Sequence, residues 1–394
     1  MIERFKAFDW ILISAVFALA LFGLIMVYSA SYPLAIDNDG IDSPAYYIAR
    51  QVMYFGLGII IFAVLMNFRY QFYKKISPYI IGVSVILLVL VLLFGTEVNE
   101  ATRWLNIGGI SIQPSELVKL GVIVYLAQVY SQKQKYIDRF AKGVVPPLIV
   151  VVFLFALILL QPDLGTATMM LLVTGIIIFL SGARFRHLAV LGALSASVVL
   201  VLVFQAEYRL NRLLAFQDPF AYEDSFGLQL IQSYISIANG GLTGTGFGQS
   251  IQKLGYLPEP HNDFILAVIA EETGWIGIGF VIFCFLIIGF RGVLIGARCK
   301  NLFGSLLAYG IVFQLLFQFI FNAGAVSGML PITGIPLPFI SYGGTSLIVS
   351  LAGAAILANI SRQNYKEKER SQANESVGKD NVTNVVPARK LGHS

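Results

Sequence analysis

Ten stretches of this chain stay apolar for about the length of a bilayer crossing, and that feature leaves few folds open. They lie near residues 10–30, 47–66, 77–95, 115–130, 144–161, 164–181, 187–205, 263–290, 302–323 and 343–361. About 20 apolar residues span the hydrocarbon core of a membrane as a helix. Lipid offers no partner to a backbone N–H or C=O, so a crossing segment must satisfy those groups internally. Only 12% of the 394 residues are charged and 57% are hydrophobic, whereas a soluble domain carries about 25% charged residues. The expected fold is an all-α polytopic membrane protein: a bundle of ten transmembrane helices over residues 1–361, with a large extracytoplasmic loop (about 206–262) between helices 7 and 8. The polar, patternless residues 362–394 read as a disordered cytoplasmic tail.

The formal net charge of +5 invites a nucleic-acid reading, but its distribution is that of a topology signal. Ten crossings put both ends on one side, and most of the 27 Lys and Arg residues fall on that side. Arg50, Arg103, Lys119, Arg209, Arg212 and Lys253 are the exceptions. The positive-inside rule then makes both ends cytoplasmic, and nucleic acid drops out as a partner. The first apolar run follows Arg4 and Lys6 and ends near Ser29-Ala30-Ser31. It is too long for the core of a signal peptide, so an uncleaved first span is expected. With Cys284 and Cys299 as the only cysteines, neither a disulfide framework nor a cysteine-ligated metal is expected. Asp37, Asp39 and Asp42 mark the first outer loop as a small acidic surface.

Five polar segments interrupt this pattern. In "RWLNIGGISIQPSELVKL", Pro114-Ser115-Glu116 reads as a helix start with Ser115 or a neighbour as cap. Lys119 follows Glu116 by three residues on the same face; it either snorkels to the interface or meets an anion in a polar cavity. Arg103 beside Trp104 has the parallel alternatives of an interfacial anchor or an anion contact. In "QPDLGTA", Asp163 reads as an N-cap. In "GLTGTGFGQS" the glycines suit tight turns, and the Lys of a phosphate loop is missing. The apolar stretch 228–237 suits a short interfacial helix. In "YLPEPHNDFILAVIAEETGW", Pro258 and Pro260 are expected to hold the chain extended up to His261. Asn262 or Asp263 then starts a helix, so Asp263 is either a cap or a chemical group. Glu271, eight residues on, lies about 12 Å along that helix, too far to act with Asp263 as a close pair. In "PITGIPLPFISYGGTSL", the glycines before the last helix suit close packing or an anion at the helix N-terminus.

Taken together and in this order, "RWL", "QPSELVKL", "QPDLGTA", "YLPEPHNDFILAVIAEE" and "TGIPLPFISYGGTSL" resemble the SEDS family of bacterial shape, elongation, division and sporulation proteins, which includes FtsW and RodA. The resemblance covers residues from about 10 to 361. The segments "YSQKQKYIDRFAKGVVPP" and "RLLAFQDPFAYEDSFGLQLIQSY" look closer to the division type of Gram-positive bacteria. What the resemblance implies is peptidoglycan glycosyltransfer: polymerisation of lipid II into glycan strands at the outer face of the cytoplasmic membrane, in a septal role in family terms, with both termini cytoplasmic. It places the family's essential aspartate on Asp263, with Asn262 where many members carry Thr. The polar cavity falls on Arg103, Glu116 and Lys119, and His261 and Glu259 stand beside Asp263 as substrate-binding candidates. The implied partners are lipid II and the nascent glycan strand, a class B penicillin-binding protein supplying the transpeptidase, other divisome proteins and membrane lipid.

The residues suit that chemistry. A carboxylate near the acceptor hydroxyl can serve as general base, which is Asp263. A departing pyrophosphate needs positive charge, from Lys119 and Arg103 or from a divalent cation such as Mg or Mn. The competing expectations are a lipid II flippase using Glu116, Lys119, Glu271 and Glu272 across the membrane, an elongation-type polymerase, and a non-catalytic scaffold.

Overall fold

The computed structural model describes residues 8–37, 43, 45–98, 101–108, 110–224 and 226–383. Arg4 and Lys6, and Asp39 and Asp42 of the acidic first loop, lie outside the described residues. Twelve α-helices and one small sheet follow in order: α1 (Trp10–Asp37), α2 (Tyr46–Asn67), α3 (Gln71–Phe94), β1 (Thr96–Val98), β2 (Ala101–Ile107), β3 (Ile110–Ile112), α4 (Pro114–Gln132), α5 (Val145–Leu159), α6 (Leu164–Leu180), α7 (Phe185–Phe204), α8 (Glu207–Gln217), α9 (Phe226–Gly240), α10 (Ile265–Arg298), α11 (Leu302–Val326) and α12 (Gly344–Thr383). Among the described residues, eight helices are long and apolar enough to cross a membrane. α4 and α6 coincide with two further apolar runs. α6 is shorter, at 17 residues, and α4 carries the polar residues Ser115, Glu116 and Lys119 within its first two turns.

The helices divide by burial. α12 is central, with 89% of its most apolar window buried, whereas α7 stands at the rim with 6% buried. α12 packs along α2, α10 packs along α11 and α1, and α4 joins α3 to α11. Small residues permit these approaches: a Cβ on Gly344 would fall 2.4 Å from the Tyr54 ring, and one on Gly292 would fall 2.1 Å from Val312. Close packing is therefore what Gly344 is for, the duller of its two readings.

Three differences from the sequence reading have physical reasons. Between the third and fourth apolar runs, where no regular element was expected, β1, β2 and β3 form an antiparallel three-stranded sheet in that order. Gly108, at φ 58°, makes the tight β2–β3 turn, a conformation that glycine adopts without steric penalty. The long segment 206–262 is largely helical, since α8, a 3-10 turn (Pro219–Tyr222) and α9 occupy its first part. Finally, the segment from 362, expected to be disordered, continues α12 as helix to Thr383. Its Lys-, Glu- and Gln-rich sequence has good helix propensity. Its first turn is tied to the bundle by Arg362 Nη1 donating to Asn67 Oδ1 (2.8 Å) and Asn364 Nδ2 donating to Ile295 O (3.0 Å).

α10 is broken at Gly274, where φ is 61° and ψ is −159°. A broken helix in a membrane protein must recover its lost backbone bonds elsewhere. The glycine loop after α9 supplies them. Thr245 N and Gly246 N donate to the carbonyls of Glu271 and Glu272 at 2.9 and 3.1 Å, while Trp275 N and Ile276 N donate to those of Gly241 and Leu242. The loop can lie this close because Gly244 (φ 78°), Gly246 (φ 108°) and Gly248 (φ 80°) take conformations that side chains disfavour.

Candidate active site

The polar run before α10 does not extend as the prolines suggested. Glu259, between Pro258 and Pro260, adopts φ 50°, and the chain turns through residues 261–264. α10 starts at Ile265, its N-cap is Phe264, and no side chain caps it. Asp263 and Asn262 therefore do not start the helix. The reason is tertiary: three consecutive carbonyls are held from outside. Tyr342 N donates to His261 O at 2.8 Å, Ser341 Oγ to Asn262 O at 2.6 Å, and Asn322 Nδ2 to Asp263 O at 2.7 Å. The same Asn322 amide donates to Ile335 O at 2.9 Å, so α11 fastens the turn to the proline-rich loop 327–343. The Asp263 carboxylate faces that loop: a Cβ on Gly334 would lie 3.8 Å from Oδ2.

Electrostatics set Asp263 apart. Burial, then the charge of Glu259, raise its pKa to about 6, against the opposing pull of Arg212. Arg212 lies on α8, with its guanidinium 4.9 Å from the centroid of Phe226 and 5.9 Å from that of Tyr208. Its Nε is buried without a hydrogen-bond partner. Burial lowers its pKa, Asp263 and Asp163 act the other way, and Arg103 adds to the lowering. Asp263, Arg212, Arg103 and Asp163 thus share one field. The sequence reading used Arg212 only for topology. Its signal was the Arg209-x-x-Arg212 pair on one face of an amphipathic segment beside the expected site.

Arg103, on β2, donates to the backbone carbonyls of Gln161 (Nε, 3.3 Å) and Pro162 (Nη2). It braces the α5–α6 turn as well as contributing charge. Asp163 is the N-cap expected of it, accepting from Thr166 N at 3.1 Å. Its other oxygen lies 3.4 Å from Ser115 Oγ and 3.5 Å from Gln113 Nε2. Ser115 therefore does not cap α4; the N-cap is Gln113, without a side-chain cap bond.

Lys119 and Glu116 form a buried ion pair of 2.8 Å, with side chains 3% and 2% exposed. The structure joins them to each other on α4 within the bundle, where Glu116 balances the positive charge expected to face pyrophosphate. Glu271 is also closed, accepting from Ser250 Oγ, Ile251 N and Gln252 N. Glu272 binds Lys253 Nζ at 2.7 Å and Ser29 Oγ at 2.7 Å. His261 is buried against the rings of Tyr47 and Tyr342, with centroids 4.9 and 5.4 Å away. Its Nδ1 has no partner, and burial lowers its pKa against the charge of Glu259. Glu259 accepts from Asn262 Nδ2. Among the described residues no group of three or more His, Cys, Asp or Glu side chains could hold a metal ion. No step below is routed through a metal ion.

Comparison with known proteins bears on the family and the fold. The pattern of the FtsW/RodA/SpoVE family, described as cell cycle proteins, matches residues 9–366. The chain is 43% identical over 383 residues to the probable peptidoglycan glycosyltransferase FtsW of Bacillus subtilis, covering 93% of this chain and 95% of that one. It is 40% identical to stage V sporulation protein E of the same organism, covering 90% and 97%. Among solved structures it is similar to a chain from a study of how a peptidoglycan synthase complex coordinates polymerization and crosslinking, with TM-score 0.74, 28% identity and coverage of 91% and 98%. The rod shape determining protein RodA of Thermus thermophilus matches with TM-score 0.66 and 28% identity over 91% of this chain and 98% of that one. Apolar helices, a polar turn held at their end and a sequence match along nearly the whole chain have one meaning: this is a multi-pass membrane protein of the FtsW/RodA/SpoVE family.

Proposed function

We propose that this chain is a peptidoglycan glycosyltransferase that polymerises lipid II at the outer face of the cytoplasmic membrane during division, with Asp263 as its general base. The observation that carries the reading is the state of Asp263. Its carboxylate is not used to cap the adjoining helix, and its pKa stands near 6. Such a group is ionised at neutral pH yet more basic than an ordinary aspartate, the poise that general-base catalysis favours. The acceptor sugar hydroxyl gives its proton to Asp263 as its oxygen bonds to the anomeric carbon. The bond from that carbon to pyrophosphate breaks, and the electron pair leaves with the pyrophosphate. Arg212 and Arg103 supply fixed positive charge as negative charge develops on the leaving group. The Lys119–Glu116 pair contributes to the walls of the site more than to its net charge.

The lipid tail of the substrate never leaves the bilayer, which is why the catalyst is a bundle of apolar helices. The division role is supported by the similarity to FtsW proteins, and a septal location goes with it. A partner class B penicillin-binding protein is supported by the likeness to a chain of a complex that couples polymerization to crosslinking. The charge distribution supports cytoplasmic termini, which put Asp263 outside. The flippase alternative would need polar groups open to a passing headgroup. Glu116, Glu271 and Glu272 are instead closed on Lys119, the loop at 250–252, and Lys253 with Ser29. The test is polymerisation of purified lipid II by the purified chain, with and without a cognate transpeptidase. Glycan strands in either reaction support the proposal, and none in both, from a folded protein, refutes it.

A further inference from the structure

The far end of the bundle holds a feature that the transferase reading does not use. Tyr47 of α2 lies against His261, while Asn67 ends the same helix twenty residues later, about 30 Å away at the α-helical rise. There the α2–α3 corner and α12 enclose a cavity of about 480 Å³ lined by Asn67, Arg69, Gln71, Arg362, Lys366 and Arg370, with Glu367 its one acidic side chain. The walls are fixed by hydrogen bonds. Asn359 Oδ1 accepts from Tyr70 N at 3.0 Å and Asn359 Nδ2 donates to Met66 O at 2.9 Å, while Arg362 reaches Asn67 at 2.8 Å. A second cavity of about 440 Å³ shares Asn67, Arg69 and Gln71 and adds Phe68, Phe72 and Lys75.

We propose that this pair of cavities binds an anionic phospholipid, its phosphate among Arg69, Arg362, Lys366 and Arg370 and its glycerol and upper chains along Phe68 and Phe72. In a chain only 12% charged, Arg69, Arg362 and Arg370 line a single cavity with Glu367 as the one carboxylate among its described residues, and a phosphate-bearing anion relieves the repulsion among the three guanidinium groups. Basic pockets between membrane helices bind such headgroups. Two polar atoms at this site, Gln71 Oε1 and Arg362 Nε, are buried with no hydrogen-bond partner in the protein. A small rotation of either side chain toward the cavity lets the first accept from a headgroup hydroxyl and the second donate to a phosphate oxygen. The shared ligand chemistry is a phosphate, and the aromatic groove assigns its source to lipid. Phe68 and Phe72 pack edge-to-face with centroids 5.2 Å apart and are 45% and 43% exposed. Exposed Phe rings at the end of a span are removed from water when acyl chains lie against them. A soluble phosphate would have no use for them.

The experiment titrates the full-length protein in detergent with phosphatidylglycerol, phosphatidylcholine or inorganic phosphate and reads melting temperature and bound lipid. The variants are Arg69→Gln/Arg370→Gln and, should that pair fail to fold, Arg370→Gln alone. Phosphatidylglycerol is expected to bind and stabilise the protein, phosphatidylcholine far less so. Two lost cations should weaken the anionic lipid about 30-fold, and one about fivefold. Lipid II polymerisation by the same variants serves as a control and should be unchanged, because both residues lie at the end opposite Asp263. Equal binding of phosphatidylcholine, or phosphatidylglycerol binding indifferent to the substitutions, overturns the site. Stabilisation by inorganic phosphate alone, lost in the variants, overturns the lipid as its source.

Discussion

At the scale of single residues, Asp263 shows how tertiary contacts free a carboxylate from a capping role. Three of the carbonyls around it are held by Tyr342, Ser341 and Asn322, so the helix begins two residues later and the carboxylate is left without a capping bond. Asp263→Asn should lower lipid II polymerisation by about 10²–10⁴-fold, the range of general-base terms, with binding of lipid II retained. The same substitution tests stability. A carboxyl whose folded pKa is raised contributes stability at low pH that is lost as pH rises through the folded value, here about 6. Above pH 6 the Asn variant should therefore melt no lower than the parent, and a large drop would mean that Asp263 is structural. Polymerisation by the parent should decline as pH falls through about 6. Arg212 holds the Asp263 pKa down and Glu259 pushes it up. Arg212→Ala should therefore slow the reaction and move its acidic limb upward, whereas Glu259→Gln should move the limb downward. Unmoved limbs in both variants would detach these charges from the reacting group.

The element that organises the site is α10. Its break at Gly274 exposes backbone groups that the loop around Gly244 satisfies, and the same loop places Lys253 against Glu272 with side chains 5% and 0% exposed. Ser29 of α1 completes this contact, accepting from Lys253 Nζ and donating to Glu272. Removing one partner of a buried ion pair leaves an uncompensated charge and costs about 3–5 kcal/mol. Glu272→Gln should lower the melting temperature sharply. Lys253→Met/Glu272→Met should recover much of that loss, since replacing both charges by apolar groups is often neutral. A double variant as unstable as the single one would show that hydrogen bonding to Ser29, more than charge balance, fastens the loop. Glu271 belongs to the same clamp through Ile251 N at 3.1 Å, which is why neither glutamate is available as a second carboxylate for Asp263.

For the whole molecule, the arrangement separates two ends. The polar turn, the small sheet and α8 meet at one, and the α2–α3 corner and the continuation of α12 meet at the other. Residues beyond Gln372 should be dispensable for polymerisation. The bundle contacts of α12 past its apolar part come earlier, at Arg362 and Asn364. A chain ending at Gln372 that inserts normally but makes no glycan would contradict this. The earlier boundary at 362, natural from composition alone, cuts through those contacts. Truncation there is expected to lower the melting temperature more than truncation at Gln372, even if polymerisation survives both.

The sequence by itself determined that this is a helical membrane protein, where its apolar runs lie and which polar segments interrupt them. Lipid imposes those limits locally: a long apolar run must satisfy its own backbone, whatever its neighbours are. The resemblance of five short segments to a known family carried the aspartate and the activity, since spacing alone left Asp263 an even choice between cap and base. Only the tertiary structure showed that Asp263 does not cap the helix. Asn322 is 59 residues from Asp263 in sequence, and Ser341 is 79 from Asn262. No local pattern could reveal that they hold the turn open. The same holds for Arg212, whose part depends on α8 folding back toward Asp263, and for Lys119 and Glu272, whose charges are matched by buried partners. Backbone demand is a property of the segment, whereas the surroundings of a charge are a property of the packed bundle.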